Sequence, residues 1–113
     1  MSIRAQGLRT WLWQRLSAAY LAAFLLFSLA GWILAGPWDY VRWRALLTDP
    51  VYAVATALFF AALLLHGWVG GRDIVMDYVP AGALRFAALT LLALAVIVMG
   101  AWAVVILLLA QVT

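Results

Sequence analysis

Three long apolar runs, separated by short polar segments, dominate the pattern of this chain. Residues 16–36 carry no charge, residues 51–71 contain one histidine but no Asp, Glu, Lys or Arg, and residues 86–110 contain no ionisable group. Each run reaches the roughly 20 residues that a helix needs to cross a bilayer. Because hydrocarbon offers the backbone no hydrogen bonds, such runs form helices. We therefore predict an all-α membrane protein with three transmembrane helices.

Helix-breaking and capping residues mark the ends of these helices. Gly36-Pro37 ends the first, since proline cannot continue the hydrogen-bond ladder. Asp49-Pro50 supplies a cap and a proline at the first position of the second. Pro80 and Gly82 indicate a turn within a second loop, from Arg72 to Arg85, before the third. We predict one domain, 1–113, with helices over about 12–36, 51–73 and 83–111.

Composition agrees with this class of fold. The 113 residues are 70% hydrophobic and 10% charged, and there is no cysteine. Soluble domains are nearer half apolar and a quarter charged. Without cysteine, disulfides, Cys-ligated zinc and iron–sulfur clusters within this chain are excluded. The net charge of +3 is small. This charge falls outside the apolar runs, so it indicates membrane topology and not binding of nucleic acid; the apolar runs themselves predict contact with membrane lipid.

The arginines predict the orientation in the membrane. Arg4, Arg9, Arg15, Arg72 and Arg85 fall on one side of the predicted spans, and only Arg42 and Arg44 fall on the other. The positive-inside rule therefore predicts a cytoplasmic amino terminus and an outer carboxyl terminus. The first run is too long for a signal peptide, so we interpret it as a retained span of a bacterial inner-membrane protein. Residues 38–44 alternate aromatic and charged groups, as expected of a segment lying on the outer interface.

His66, the only histidine, lies inside the second run. An ionisable side chain in hydrocarbon is costly, so a functional role is the default hypothesis. Ala62, Gly67 and Gly70 surround it with small residues that leave room for a flat partner such as a porphyrin, and histidine is a standard axial ligand of haem iron. A second axial histidine would have to come from another chain, which predicts an oligomer. The alternative is a structural histidine bonded to a neighbouring carbonyl or side chain.

Three further polar residues fall on the same predicted side of the membrane. Arg15 could pair with haem propionates, because guanidinium binds carboxylates in a bidentate manner, or it could only anchor the helix at the headgroups. The Tyr78 phenol could donate a hydrogen bond to a quinone carbonyl, with Asp77 orienting it or relaying protons. Alternatively, Tyr78 is an interfacial anchor, and Asp77 is a solvated charge or a partner of Arg72.

The segment from His66 to Tyr78 resembles the motif of the succinate dehydrogenase cytochrome b556 membrane anchor of the D type. That family has H-x-W-x-G, followed by D-Y with the aspartate eleven residues after the histidine, and this chain reads HGWVG and then DY at the same spacing. Its length, helix count and amino-inside topology are also similar. The G-x-R that follows the histidine is similar to the companion anchor of the C type, whereas the tyrosine after the aspartate and the short amino terminus favour the D type.

The resemblance implies a subunit of succinate:quinone oxidoreductase, respiratory complex II, that is an enzyme only within its complex. It implies that His66 is an axial ligand of a shared haem b, that Arg15 lies near the propionates, and that Tyr78 and Asp77 form part of the ubiquinone site; no residue is predicted to be catalytic. The implied partners are a second membrane anchor of the C type, an iron–sulfur subunit and a flavoprotein in a hetero-oligomeric helix bundle.

Two alternatives to this function remain. One is a haem-free anchor of the fumarate-reductase kind, in which His66 is structural. The other is a small homo-oligomeric transporter subunit, which would be expected to carry carboxylates within its spans. All four aspartates fall outside the three apolar runs, which argues against transport.

Overall fold

A computed structural model describes the backbone from residue 3 to residue 112 and the side chains from residue 6 to residue 112. Over this range the fold consists of helices and no strands: α1 (Ile3–Leu34), α2 (Tyr40–Thr48), α3 (Pro50–Tyr78) and α4 (Ala83–Val112). Three of them are long and apolar enough to cross a membrane. The predicted all-α membrane fold with three spans is therefore confirmed. Residues 1, 2 and 113 of the predicted domain, and the Arg4 side chain, lie outside the described residues.

The first long helix begins well before the expected residue 12. Helix α1 starts at Ile3 and ends at Leu34, with the Ala35 N–H donating to the Gly31 carbonyl at 3.0 Å. No proline interrupts residues 3–34, so the polar amino-terminal residues continue the same helical ladder as the apolar ones. The helix ends just before Gly36-Pro37.

The segment after Pro37, which was expected to lie on the outer interface, forms a nine-residue helix. Asp39 caps α2 by accepting a hydrogen bond from the Arg42 N–H at 2.8 Å. Trp43 packs against Trp32 at the end of α1, with ring centroids 5.2 Å apart. At the other flank, the Gln111 side-chain amide of α4 donates to the Leu47 carbonyl at 2.8 Å. Helix α2 is thereby fixed across one end of the bundle.

The predicted start of the second span is confirmed, but its predicted end is wrong. Asp49 caps α3 by accepting from the Tyr52 N–H at 2.9 Å, and Pro50 is its first residue. The helix then continues through Arg72 to Tyr78 instead of giving way to a loop. No proline or glycine lies between Gly71 and Val79, so polarity alone does not break the helical hydrogen bonding.

The turn that reverses the chain after α3 is short and held by one arginine. The Arg85 guanidinium donates to the carbonyls of Met76 and Val79 at 3.0–3.1 Å, so it satisfies acceptors at the end of α3 that have no helical partner. Gly82 has φ of +116°, which side chains with a Cβ rarely adopt. Both residues keep the ends of α3 and α4 close together.

Helix α3 lies in the centre of the arrangement, with α1 on one flank and α4 on the other. Among the described residues, no Cα atom of α1 lies within 8 Å of a Cα atom of α4. Very few side chains are buried, and large apolar residues are exposed along all three long helices. Such a layer of three helices has no enclosed core, so its outer faces are suited to lipid or to other helices.

Candidate functional site

The contact between α1 and α3 is a polar seam. The buried positions of α1 are Ser17, Leu21 and Ser28, with the spacing of a helix–helix seam. Across it, Tyr20 donates its hydroxyl hydrogen to the Ala55 carbonyl at 2.6 Å, and the Ser28 and Tyr52 hydroxyls are 2.9 Å apart. Hydrogen bonds between helices and small side chains are the usual means of joining spans in a membrane.

His66 lies on this seam, toward the end of the bundle where α1 begins and α3 ends. That end carries Arg9, Arg15, Arg72 and Arg85, and we call it the arginine-rich end. The His66 Nδ1 atom is 3.2 Å from the Ser17 hydroxyl oxygen. The same hydroxyl donates to the Gln14 carbonyl at 3.0 Å. The histidine is half-buried, and α1 provides its one hydrogen-bond partner among the described residues.

Beside His66 a cleft of about 600 Å³ opens between α1 and α3. Arg15 of α1 and Arg72 of α3 line it together with the imidazole, and Asp73 also contributes to the lining. The Arg15 guanidinium stacks over the Trp11 ring at 5.5 Å from the centroid. The cleft therefore combines one imidazole with two permanent positive charges and one negative charge.

The Gln14 side chain forms part of the wall. Its Oε1 atom is buried without a hydrogen-bond partner among the described residues. Its Nε2 atom would lie 3.1 Å from a Cβ placed on Gly70, so the glycine provides the space that the amide occupies. An unpaired buried amide oxygen is costly. A hydrogen-bond donor on a bound group or on a water would satisfy this oxygen.

The predicted ring of small residues around His66 is only partly correct. Gly67 faces open space, as expected. Gly70 instead accommodates Gln14, and Ala62 lines a separate hollow beside Ser17 and Tyr20. The physical reason is that α1 packs onto this stripe of α3 and fills part of the space that an isolated helix would leave. The space left for a flat group beside His66 is therefore the cleft itself.

The structure groups the predicted site residues in two places. His66 and Arg15 share the cleft. Asp77 and Tyr78 lie at the end of α3 and do not line it; at 1.5 Å per residue Tyr78 is about 18 Å along the axis from His66. Tyr78 is 81% exposed. Asp77 is also exposed, and the suggested ion pair with Arg72 is wrong, because Arg72 pairs with Asp73 at 3.4 Å.

Sequence reasoning missed the cleft residues Gln14, Arg72 and Asp73. It also missed Ser17, the hydrogen-bond partner of His66. Arg72 and Asp73 fall in the predicted second loop, and the unbroken helical pattern after Gly71 was the signal that could have found them. Asp73 is seven residues after His66, which is two helical turns and hence the same face. Ser17 and Gln14 gave no signal, because their role depends on which face of α1 meets α3.

Within the described residues, no cluster of three His, Cys, Asp or Glu side chains could hold a metal ion. A metal bound here by this chain alone would have a single imidazole ligand. The fold and the cleft together define a small helical membrane protein with three spans, an incomplete bundle and a polar cleft between α1 and α3.

Comparison with known proteins gives the family. The profile of the succinate dehydrogenase/fumarate reductase transmembrane subunit family matches residues 2–107. The chain is also 28% identical over 99 residues to the succinate dehydrogenase hydrophobic membrane anchor subunit of Coxiella burnetii, covering 88% of this chain and 86% of that protein. The chain belongs to the succinate dehydrogenase/fumarate reductase transmembrane subunit family. The predicted membrane-anchor identity is confirmed, and the transporter alternative gains no support.

Proposed function

We propose that this chain anchors a succinate:quinone oxidoreductase in the bacterial inner membrane, contributes His66 as one axial ligand of a haem b, and helps to form the site where ubiquinone is reduced. The family supplies the anchor role. The observation that carries the haem proposal is the cleft in which an imidazole and two guanidinium groups meet. The anchor role also implies the other subunits of the complex, for which we propose a second membrane anchor, an iron–sulfur subunit and a flavoprotein.

The donor set of the cleft fits a haem. A haem offers iron, which takes imidazole nitrogen, and two propionate carboxylates, which take guanidinium hydrogen bonds. His66 would hold the iron, and Arg15 and Arg72 would hold the propionates. When bound, haem b supplies a site that accepts and donates single electrons. Because His66 is the one imidazole of this chain, a second histidine ligand would have to come from a partner chain.

Tyr78 and Asp77 are suited to binding a quinone at the arginine-rich end. The Tyr78 hydroxyl has no hydrogen-bond partner among the described residues and is exposed at the end of α3, so its O–H is free to donate to a quinone carbonyl oxygen. The neighbouring Asp77 carboxylate can accept a proton from water and pass it toward that oxygen. Reduction of a quinone to a quinol consumes electrons and protons in equal number, and the electrons would come from succinate through the partner subunits.

The test is His66→Ala in the whole purified complex. We expect the variant to lose the low-spin b-type spectrum and its haem content, because alanine removes the proposed iron ligand. No other imidazole of this chain can take over the role, since His66 is its one histidine. Unchanged haem content and an unchanged spectrum would show that His66 is not the ligand.

The haem-free anchor remains a second candidate, and one observation favours it. Ser17 already satisfies Nδ1 of His66, so the histidine could be structural. An active wild-type complex purified without haem would select this candidate. A haem present in the wild type and lost in His66→Ala would exclude it.

A further inference from the structure

We propose that Ser17 is a positioning residue that fixes the tautomer of His66, so that Nδ1 carries the hydrogen and Nε2 is the nitrogen available to iron. The inference rests on the proposed haem-binding function and goes beyond it, because it assigns a role to a residue of the neighbouring helix. It follows from the two hydrogen bonds that meet at one hydroxyl.

The hydroxyl of Ser17 has one hydrogen and two neighbours. The Gln14 carbonyl oxygen, 3.0 Å away, can only accept. The hydrogen between these two atoms must therefore come from Ser17. The His66 Nδ1, 3.2 Å from the same hydroxyl oxygen, must then donate its own hydrogen if both hydrogen bonds are formed. A neutral imidazole protonated on Nδ1 has its lone pair on Nε2.

The opposite tautomer would break this arrangement. If Nε2 carried the hydrogen, Nδ1 would be an acceptor and would compete with the Gln14 carbonyl for the single hydrogen of Ser17. One of the two hydrogen bonds at Ser17 would then be lost: either Nδ1 would have no donor, or the Gln14 carbonyl would keep only its hydrogen bond within the α1 ladder. Ser17 is 6% exposed, so its hydroxyl is largely shielded from the surroundings of the protein. The Ser17 hydroxyl therefore favours the tautomer with the hydrogen on Nδ1, because only in that tautomer do both hydrogen bonds form.

This chain of hydrogen bonds matches a general requirement of histidine ligands. A metal-binding imidazole usually donates its second N–H to a nearby acceptor, which fixes the ring and makes it a stronger ligand. Here the acceptor is the Ser17 hydroxyl, which in turn donates a hydrogen bond to the Gln14 carbonyl. The bond also joins α1 to α3 at the cleft, so ligand orientation depends on the packing of the two helices.

The experiment compares Ser17→Thr with Ser17→Val in the whole complex. The two new side chains have nearly the same shape, but only threonine keeps a hydroxyl, and valine fills the space that water could enter after Ser17→Ala. Ser28→Ala is the control, because Ser28 is also buried in the same seam but bonds Tyr52, far from the cleft. Two quantities are measured: haem affinity during reconstitution of the haem-depleted complex, and the midpoint potential of the bound haem.

We expect Ser17→Val to weaken haem binding about 10- to 100-fold, the usual effect of removing such a partner. Its midpoint potential should rise, since a less basic imidazole stabilises ferric iron less well. Ser17→Thr and Ser28→Ala should retain both values. A rise in potential that Ser28→Ala does not share separates this role from a general loosening of the seam.

The inference is wrong if Ser17→Val keeps the wild-type affinity and potential while His66→Ala loses haem; the proposed function then stands without it. It is also wrong if Ser17→Thr and Ser17→Val shift both quantities equally, because shape would then be the cause. If His66→Ala retains haem, the proposed function fails and the inference fails with it.

Discussion

Among single residues, His66 and Ser17 form a polar pair within the seam between α1 and α3. A hydrogen bond between membrane helices stabilises their association by only about 0.6–2 kcal/mol. An apolar pair of similar size could provide as much through packing. The bond alone therefore does not account for a histidine at this position, and the cleft with Arg15 and Arg72 beside it favours a ligand role.

Tyr78→Phe tests the proposed quinone site through a single side chain. The change removes only the hydroxyl from a residue that is 81% exposed. We expect the rate of quinone reduction by the complex to fall about 2- to 10-fold. This decrease corresponds to the loss of one hydrogen bond that contributes about 0.5–1.5 kcal/mol. Succinate oxidation with an artificial electron acceptor should be unchanged, because that reaction bypasses the quinone.

The matched control is Tyr40→Phe. Tyr40 is also a largely exposed tyrosine, but it starts α2 at the opposite end of the bundle. If Tyr40→Phe lowers quinone reduction as much as Tyr78→Phe does, loss of an interfacial anchor explains both results. If neither variant changes either activity, Tyr78 has no part in quinone binding.

Between the helices, two different kinds of contact hold the layer together. Helix α1 meets α3 through hydroxyls and stacked aromatic rings, among them Phe24 and Phe59 with centroids 4.7 Å apart. Helix α4 meets α3 through close approach at glycines. A Cβ on Gly71 would lie 2.9 Å from the Leu92 side chain, and a Cβ on Gly100 would lie 3.1 Å from the side chain of α3 that it faces. Small residues let the two backbones approach closely.

Gly71→Ala should therefore lower the thermal stability of the complex. Extra atoms in a packed contact typically destabilise by about 1–3 kcal/mol, although alanine favours the helix by about 1 kcal/mol over glycine. The matched control is Gly31→Ala, since a Cβ on Gly31 meets nothing within 4 Å. It should retain or raise the melting temperature. The measurement is thermal unfolding of the purified complex.

A second substitution identifies the atoms responsible. Leu92→Ala removes the side chain that the new methyl group would meet, so the double variant should be more stable than the sum of the single effects predicts. Strictly additive losses would show that Leu92 is not the obstacle at Gly71.

At the scale of the whole molecule, the three long helices form a single layer and do not close into a bundle. Helix α3 has neighbours on two flanks, whereas α1 and α4 present most of their apolar surface outward. In a membrane this surface does not force association by the hydrophobic effect, since lipid tails are as apolar as leucine. Polar features therefore direct assembly, and the cleft at the arginine-rich end is the principal one among the described residues.

The orientation of the chain in the membrane is testable by fusion to reporters. In the sequence, five arginines precede the first span or follow the second, and two fall between those spans, which predicts a cytoplasmic amino terminus and an outer carboxyl terminus. A reporter active only in the cytoplasm should work when fused to the amino terminus and fail at the carboxyl terminus. An alkaline-phosphatase fusion, active only outside, should give the reverse pattern. A cytoplasmic carboxyl terminus would refute the prediction.

Features with local causes were predicted well from the sequence. The three spans follow from hydropathy, and the start of α3 follows from the cap and proline at Asp49-Pro50. The prediction for the end of α3 is wrong because charge at Arg72 and Asp73 does not by itself indicate a loop. Charged side chains at a helix end that reaches the membrane surface are readily solvated. The backbone can therefore remain helical there.

Residues near one another in the chain are enough to establish that the protein is helical, that it has three spans, and that its one imidazole lies in an apolar run. The packing of the helices was needed to establish that Ser17 meets His66, that Arg72 joins Arg15 at one cleft, and that Tyr78 lies apart from it. The helices are apolar on nearly every side, so hydropathy does not define which faces meet. Contacts between small, aromatic and hydrogen-bonding side chains fix the rotation of each helix, and that rotation forms the site.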